Sequence, residues 1–219
     1  MKQTKQFQRS LITGIFLLLV FLIFTVLLKT VDVKLYSATE TEIGFFSVNS
    51  AVFEAIGTND LAYEISEILG LLILIAPFAF AILALVEWIK RKSLLKIDRD
   101  LWVLFAAYVL TLLLYCFFEL IVINFRPILA DGVAEASYPS SHTLLAIVIG
   151  GTALLQIKER IRTPKIRIPL LCIVALLMFA VPLLRLLSGV HWLTDIVAAI
   201  LLGSSILMIY RGVTLRLQK

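Results

Sequence analysis

Charge is what this chain has least of: Asp, Glu, Lys and Arg make up only 16% of its 219 residues, whereas 61% are hydrophobic. That balance falls outside the composition of soluble globular domains and excludes a protein whose main solvent is water. Cysteine is scarce as well. Cys116 and Cys172 both sit in apolar runs, where a free thiol behaves as a small hydrophobe, so neither a disulfide framework nor a cysteine metal site is expected. Internal repeats and low-complexity segments are lacking, and histidine occurs only twice. The net charge of +5 does not point to nucleic acid, because the basic residues form short clusters between apolar runs.

What is present is a series of such runs, at about 11–28, 65–89, 101–123, 143–157, 168–187 and 193–210. Crossing a bilayer takes roughly 20 mostly apolar residues, so the sequence predicts an all-α, polytopic membrane protein, a six-transmembrane-helix bundle forming a single domain over 1–219. The fourth run is short, and its helix is expected to begin inside the preceding polar segment. The first run exceeds the usual length of a signal-peptide core and continues into Lys29-Thr30-Val31-Asp32; we read it as a retained helix. Pro77 is tolerable in a membrane helix because neighbours satisfy the freed carbonyl. Gly150-Gly151 reads as a place of close helix packing.

Lysine and arginine set the orientation, since cytoplasmic loops carry the excess. With both termini cytoplasmic, 16 of the 20 basic residues fall on that side; the other side keeps Lys29, Lys34, Arg126 and Arg185. Topology would have removed the last two, so a function is their natural explanation. The long segment at about 30–64 faces outward on this reading. Its apolar residues, among them Phe45, Phe46, Val52 and Phe53, suggest a short amphipathic helix at the interface.

Three groups converge on the outer face: Arg126-Pro127, Pro139-Ser140-Ser141-His142, and Arg185 with His191 and Asp195. Ionisable groups at membrane depth are costly and usually functional. Arginine suits phosphate, because its planar fork bonds two oxygens and keeps its charge. Ser140 and Ser141 stand just ahead of a helix, where hydroxyls and N–H groups can hold an anion or merely cap the helix. His191 and Asp195 are four residues apart, so they share one face if the sixth helix has already started. A carboxylate on one ring nitrogen fixes the tautomer and frees the other as a nucleophile. His142 then remains as general acid for the departing alkoxide.

In these motifs the sequence resembles the type 2 phosphatidic acid phosphatase (PAP2) superfamily of integral membrane lipid phosphatases, and the resemblance spans the six-helix layout. The family pattern is Lys-x6-Arg-Pro, then Pro-Ser-Gly-His, then Ser-Arg-x5-His-x3-Asp. The chain offers Arg126-Pro127, Pro139-Ser140-Ser141-His142 and Arg185-x5-His191-x3-Asp195. The resemblance implies that Arg126, Ser140, Ser141 and Arg185 hold phosphate, with His142 as acid, His191 as nucleophile and Asp195 as its orienter. It implies no metal and no other cofactor.

Three positions depart from the pattern. Ser141 replaces glycine, Leu184 replaces serine, and Glu119 stands where the family has a phosphate-binding lysine. A carboxylate beside a phosphate dianion should repel it. Glu119 could pair with Arg126 or Arg185, hold a cationic part of the substrate, or be protonated through burial; pairing ranks first, and in each case Glu119 would tune substrate choice.

The expected activity is hydrolysis of a lipid phosphate or diphosphate at the non-cytoplasmic face through a phosphohistidine. Phosphatidic acid, phosphatidylglycerol phosphate and an isoprenyl (undecaprenyl) diphosphate are the candidate substrates, with the last preferred. Two alternatives stay open: a lipid phosphotransferase using the same site, and a lipid-binding membrane protein that lost turnover with its lysine. Asp131-Gly132 reads as a turn, Asp98-Arg99-Asp100 as a solvated charge run, and the spans show little of the polar interruption expected of a transporter.

Overall fold

The computed structural model describes residues 2–130 and 132–217; Asp131 of the expected turn and Lys219 of the basic count lie outside the described residues. Six stretches are long and apolar enough to cross a membrane. The first is helix α1 (Lys2–Leu28). A hairpin of β1 (Lys34–Tyr36) and β2 (Thr41–Ile43) follows, with Lys34 opposite Ile43, and then the short helix α2 (Phe46–Ile56), where an amphipathic helix was expected.

The second span is broken. Helix α3 (Asp60–Ile73) gives way at Leu74 to α4 (Ile75–Arg91), because Pro77 has no N–H for the carbonyl of Ile73 and its ring crowds that carbonyl. This span starts earlier than its apolar run. Asn59 caps it by accepting from the Ala62 N–H at 2.9 Å, so Asp60 to Glu64, with acids at either end, form its first turn. The remaining spans are α5 (Arg99–Leu120), α6 (Ser141–Arg160), α7 (Pro164–Leu187) and α8 (Leu193–Leu217).

Helices α6 and α8 form the centre: 56% of each apolar window is buried, against 17% for α1, α5 and α7. Small residues let the backbones approach. A Cβ on Gly150 would lie 2.2 Å from Met178 Cγ, and one on Gly151 would lie 2.3 Å from Leu207 Cδ2, which is the close packing read from the sequence. The other helices turn apolar side chains such as Phe16, Phe78 and Phe179 outward, as suits a lipid solvent.

At one end of the bundle the chain from Ile121 to Ser140 folds back on itself. Phe125 bridges Ala136, and the Arg126 N–H donates to the Glu135 carbonyl at 3.0 Å. Tyr138 pins this segment to α1: its hydroxyl lies 2.7 Å from Thr25 Oγ1 and its ring stacks at 6.2 Å on Phe21. The segment between α1 and α3 packs at the same end. Buried Asn49 of α2 donates to Gly44 O and to Thr194 Oγ1 at 2.9 Å, tying α2 to the first turn of α8.

Candidate active site

The structure brings the three sequence groups together at that end. Helix α8 begins only at Leu193, so His191 stands just ahead of it rather than on one face with Asp195 in its first turn; His191 Nδ1 lies 3.6 Å from Asp195 Oδ2, within ion-pair reach but beyond a hydrogen bond. The carboxylate is fully buried and held from two further sides. Its Oδ2 accepts from the Trp192 N–H at 2.9 Å, and its Oδ1 from Asn124 Nδ2 at 3.4 Å. Trp192 is locked in turn, its indole donating to the Phe125 carbonyl at 2.7 Å.

The opposite nitrogen of His191 faces Arg185. Nε2 stands 3.5 Å from Arg185 Nη2, which projects from the last turn of α7 and is 2% exposed. Burial holds the His191 imidazole below its ordinary value of 6.5, overcoming the opposing pull of the Asp195 carboxylate, with Arg185 and Arg126 adding to the depression. The ring is therefore neutral near pH 7, with one unprotonated nitrogen.

His142 sits in the first turn of α6. Its Nε2 lies 3.3 Å from Glu67 Oε2, while Glu67 Oε1 accepts from Arg185 Nη1 at 2.6 Å. The imidazoles of His142 and His191 are thus joined through Glu67 and Arg185. Arg126 pairs with Glu135 at 3.2 Å and lines a cleft with Glu119, Ser141 and His191. That cleft offers about 10 Å³ of free volume, roughly the room for one water molecule.

Two expectations need correction. Glu119 is exposed and makes no ion pair among the described residues; the two arginines expected to hold it are engaged by Glu135 and Glu67 instead, so the first-ranked account of Glu119 fails. Ser140 is wholly buried and spends its hydroxyl on Thr143, at 3.1 Å to Oγ1 and 3.5 Å to the N–H. It caps α6, while Ser141 is the serine on the cleft.

Sequence reasoning missed the contribution of α3. Ser66 accepts from Arg185 Nη1 at 3.3 Å, and the Tyr63 ring lies 5.3 Å from the same guanidinium. Glu67 was absorbed into an apolar run, although an acidic residue just inside a membrane span is itself a signal of function.

Five buried side-chain polar atoms lack a hydrogen-bond partner among the described residues: Arg126 Nε, Arg185 Nε, Ser137 Oγ, His142 Nδ1 and His191 Nδ1. All belong to this end of the bundle. Native proteins leave few such groups unmet, and here they include one N–H donor from each of two arginines.

Fold and site together define a multi-pass integral membrane protein with a cationic, imidazole-bearing site at one end of its bundle. The family model of the PAP2 superfamily matches residues 72–218, and the chain belongs to that superfamily; at family level it is a membrane lipid phosphatase. Among solved structures, it is similar to the first transmembrane PAP2-type phosphatidylglycerolphosphate phosphatase, from Bacillus subtilis. The TM-score is 0.66 at 18% identity, covering 92% of this chain and 96% of that one. No curated protein sequence matches the chain.

Proposed function

We propose that the protein is a metal-independent lipid phosphate or diphosphate phosphatase working through a phosphohistidine on the non-cytoplasmic face. The observation that carries this reading is the convergence of unpaired guanidinium and imidazole atoms at one end of an otherwise well-satisfied bundle. Guanidinium donors without acceptors favour an oxyanion, and two imidazoles beside them supply a nucleophile and an acid.

In the first step, His191 Nε2 attacks phosphorus and forms a P–N bond as the P–O bond to the lipid breaks. His142 gives its proton to the departing oxygen. Arg185, next to Nε2, and Arg126 neutralise the charge gathering on the phosphoryl oxygens. Asp195 faces the positive charge that develops on the His191 ring. Water then attacks the phosphohistidine, yields a proton to His142, and leaves as inorganic phosphate while His191 is regenerated.

The face follows from charge: the opposite end carries the clusters Lys90 to Arg99 and Lys158 to Arg167, which favours a cytoplasmic placement for that end. Phosphatidic acid, phosphatidylglycerol phosphate and an isoprenyl diphosphate are the substrates to assay. Purified protein should release inorganic phosphate from at least one of them with no added acceptor and with chelator present. His191→Ala should reduce that release by several orders of magnitude; full activity in this variant would overturn the mechanism, and a strict need for an acceptor alcohol would make the protein a transferase.

A further inference from the structure

The outer half of the second span carries four residues that no PAP2 motif contains and that precede the matched region, which begins at residue 72. Tyr63, Ser66, Glu67 and Gly70 recur at helical spacing, so they form one stripe of α3. Each touches a site side chain. Tyr63 and Ser66 contact Arg185, and Glu67 spans Arg185 and His142. Gly70 is where the His142 ring lies against the helix: a Cβ there would fall 2.6 Å from Cδ2 and 3.2 Å from Nε2. Any other residue at 70 would push the imidazole away. The α3 stripe is therefore a built seat, Glu67 and Gly70 for His142 and Tyr63, Ser66 and Glu67 for Arg185.

The two oxygens of Glu67 contact an arginine N–H and an imidazole nitrogen, the pair of groups that a bound phosphate ester would engage with a non-bridging oxygen and with its leaving oxygen. Resting on the proposed phosphatase reading, we propose that Glu67 is a positioning residue that holds the place of the substrate: its carboxylate keeps His142 and Arg185 aligned, then yields those contacts to the phosphate. The charged and titratable groups facing His142 are Glu67 from α3, Arg185 from α7 and His191 ahead of α8; Tyr115 and Glu119 of α5 and Arg126 line the neighbouring cleft.

Two opposite effects follow from one charge. Glu67 repels an incoming dianion and competes for its contacts, so removing the charge strengthens anion binding. The same carboxylate is the counter-ion of the imidazolium, so removing it leaves His142 protonated less often and lowers turnover. A residue that merely braced the helices would worsen binding and turnover together.

The test compares wild type with Glu67→Gln and Glu67→Asp in detergent, each checked for a monodisperse folded peak, by steady-state kinetics across pH and by orthovanadate affinity from calorimetry. Glu67→Gln should bind vanadate about tenfold more tightly, lower KM, cut kcat by about 10- to 100-fold, and move the alkaline limb of the kcat profile to lower pH. Glu67→Asp keeps the charge on a shorter arm and should return that limb toward its wild-type position. Weaker vanadate binding with lower kcat, or an unmoved alkaline limb in both variants, overturns the proposal. Vanadate affinity is read without turnover, and His191→Ala is run alongside; full activity in that variant removes the phosphatase mechanism itself, whereas His191-dependent activity with no response at position 67 removes only this inference.

Discussion

The bundle carries a cluster of charged side chains at each end, and the two differ in how well their polar atoms are paired. At the end away from the site, Arg160 reaches Asp98 at 3.2 Å, Asp100 at 2.6 Å and Glu87 at 3.7 Å, and Arg91 reaches Asp98 at 2.8 Å and Glu87 at 3.4 Å. Gln156 completes the group, donating to Asp100 at 2.9 Å and to Tyr210 at 2.7 Å. The cluster ties α4, α5, α6 and α8 together, and none of its side chains is among those holding an unpaired buried atom. The run Asp98-Arg99-Asp100, expected to be solvated, instead supplies two of its acids. The site end holds all five unpaired buried atoms found among the described residues. Saturated pairing is what a structural tie needs, and unmet donors are what a ligand needs.

The sharpest way to break the comparison is to exchange one cation at each end. Arg185→Lys keeps the charge but loses the fork, and kcat/KM for phosphate release should fall by about 10²-fold with little change in thermal midpoint. Arg160→Ala should do the reverse: it leaves Asp98 with Arg91 alone and Asp100 with Gln156 alone, costs roughly 1–3 kcal/mol, and lowers the midpoint while kcat/KM stays near wild type. A loss of activity in Arg160→Ala as large as in Arg185→Lys would show that the two ends are one functional unit.

Smaller effects sharpen the contrast. A His191 nucleophile has to be neutral, and the ring's proton affinity is held below the ordinary 6.5, so the acid limb of kcat/KM should lie below pH 6.5. The stability sign is fixed by linkage: below 6.5 the unfolded chain binds a proton that the folded ring resists, so this group makes folding less favourable as pH falls from 6.5 toward the lowered folded value. His191→Gln should remove that dependence from the thermal midpoint. Least in size, Glu119→Lys and Glu119→Gln should change the ranking of lipid monophosphates against diphosphates rather than abolish turnover. Identical rate profiles for all three proteins would end the idea that Glu119 tunes substrate choice.

The fold was legible because hydrocarbon imposes simple rules: six apolar runs gave six spans, and Gly150-Gly151 marked a real helix contact. The grouping of Arg126, His142, Arg185, His191 and Asp195 was legible because their residue types and spacings have few other uses in a membrane. What stayed hidden depended on partners distant in sequence. Nothing local says that Glu67 meets a residue 118 positions away, or that Glu135 rather than Glu119 reaches Arg126. Hidden, too, was the division of labour between adjacent serines, because one hydroxyl can serve a cap or an anion and only the backbone geometry decides.

Pro77 has a consequence for how the second span behaves as an object. A continuous rod clamped by salt links at one end and by the His142 seat at the other would transmit torque between them. Interrupted at Leu74, it is two shorter helices, with the His142 and Arg185 contacts of Glu67 on α3 and the salt links of Glu87 and Arg91 on α4. Pro77→Ala supplies the N–H that the Ile73 carbonyl lacks and should join the two helices into one.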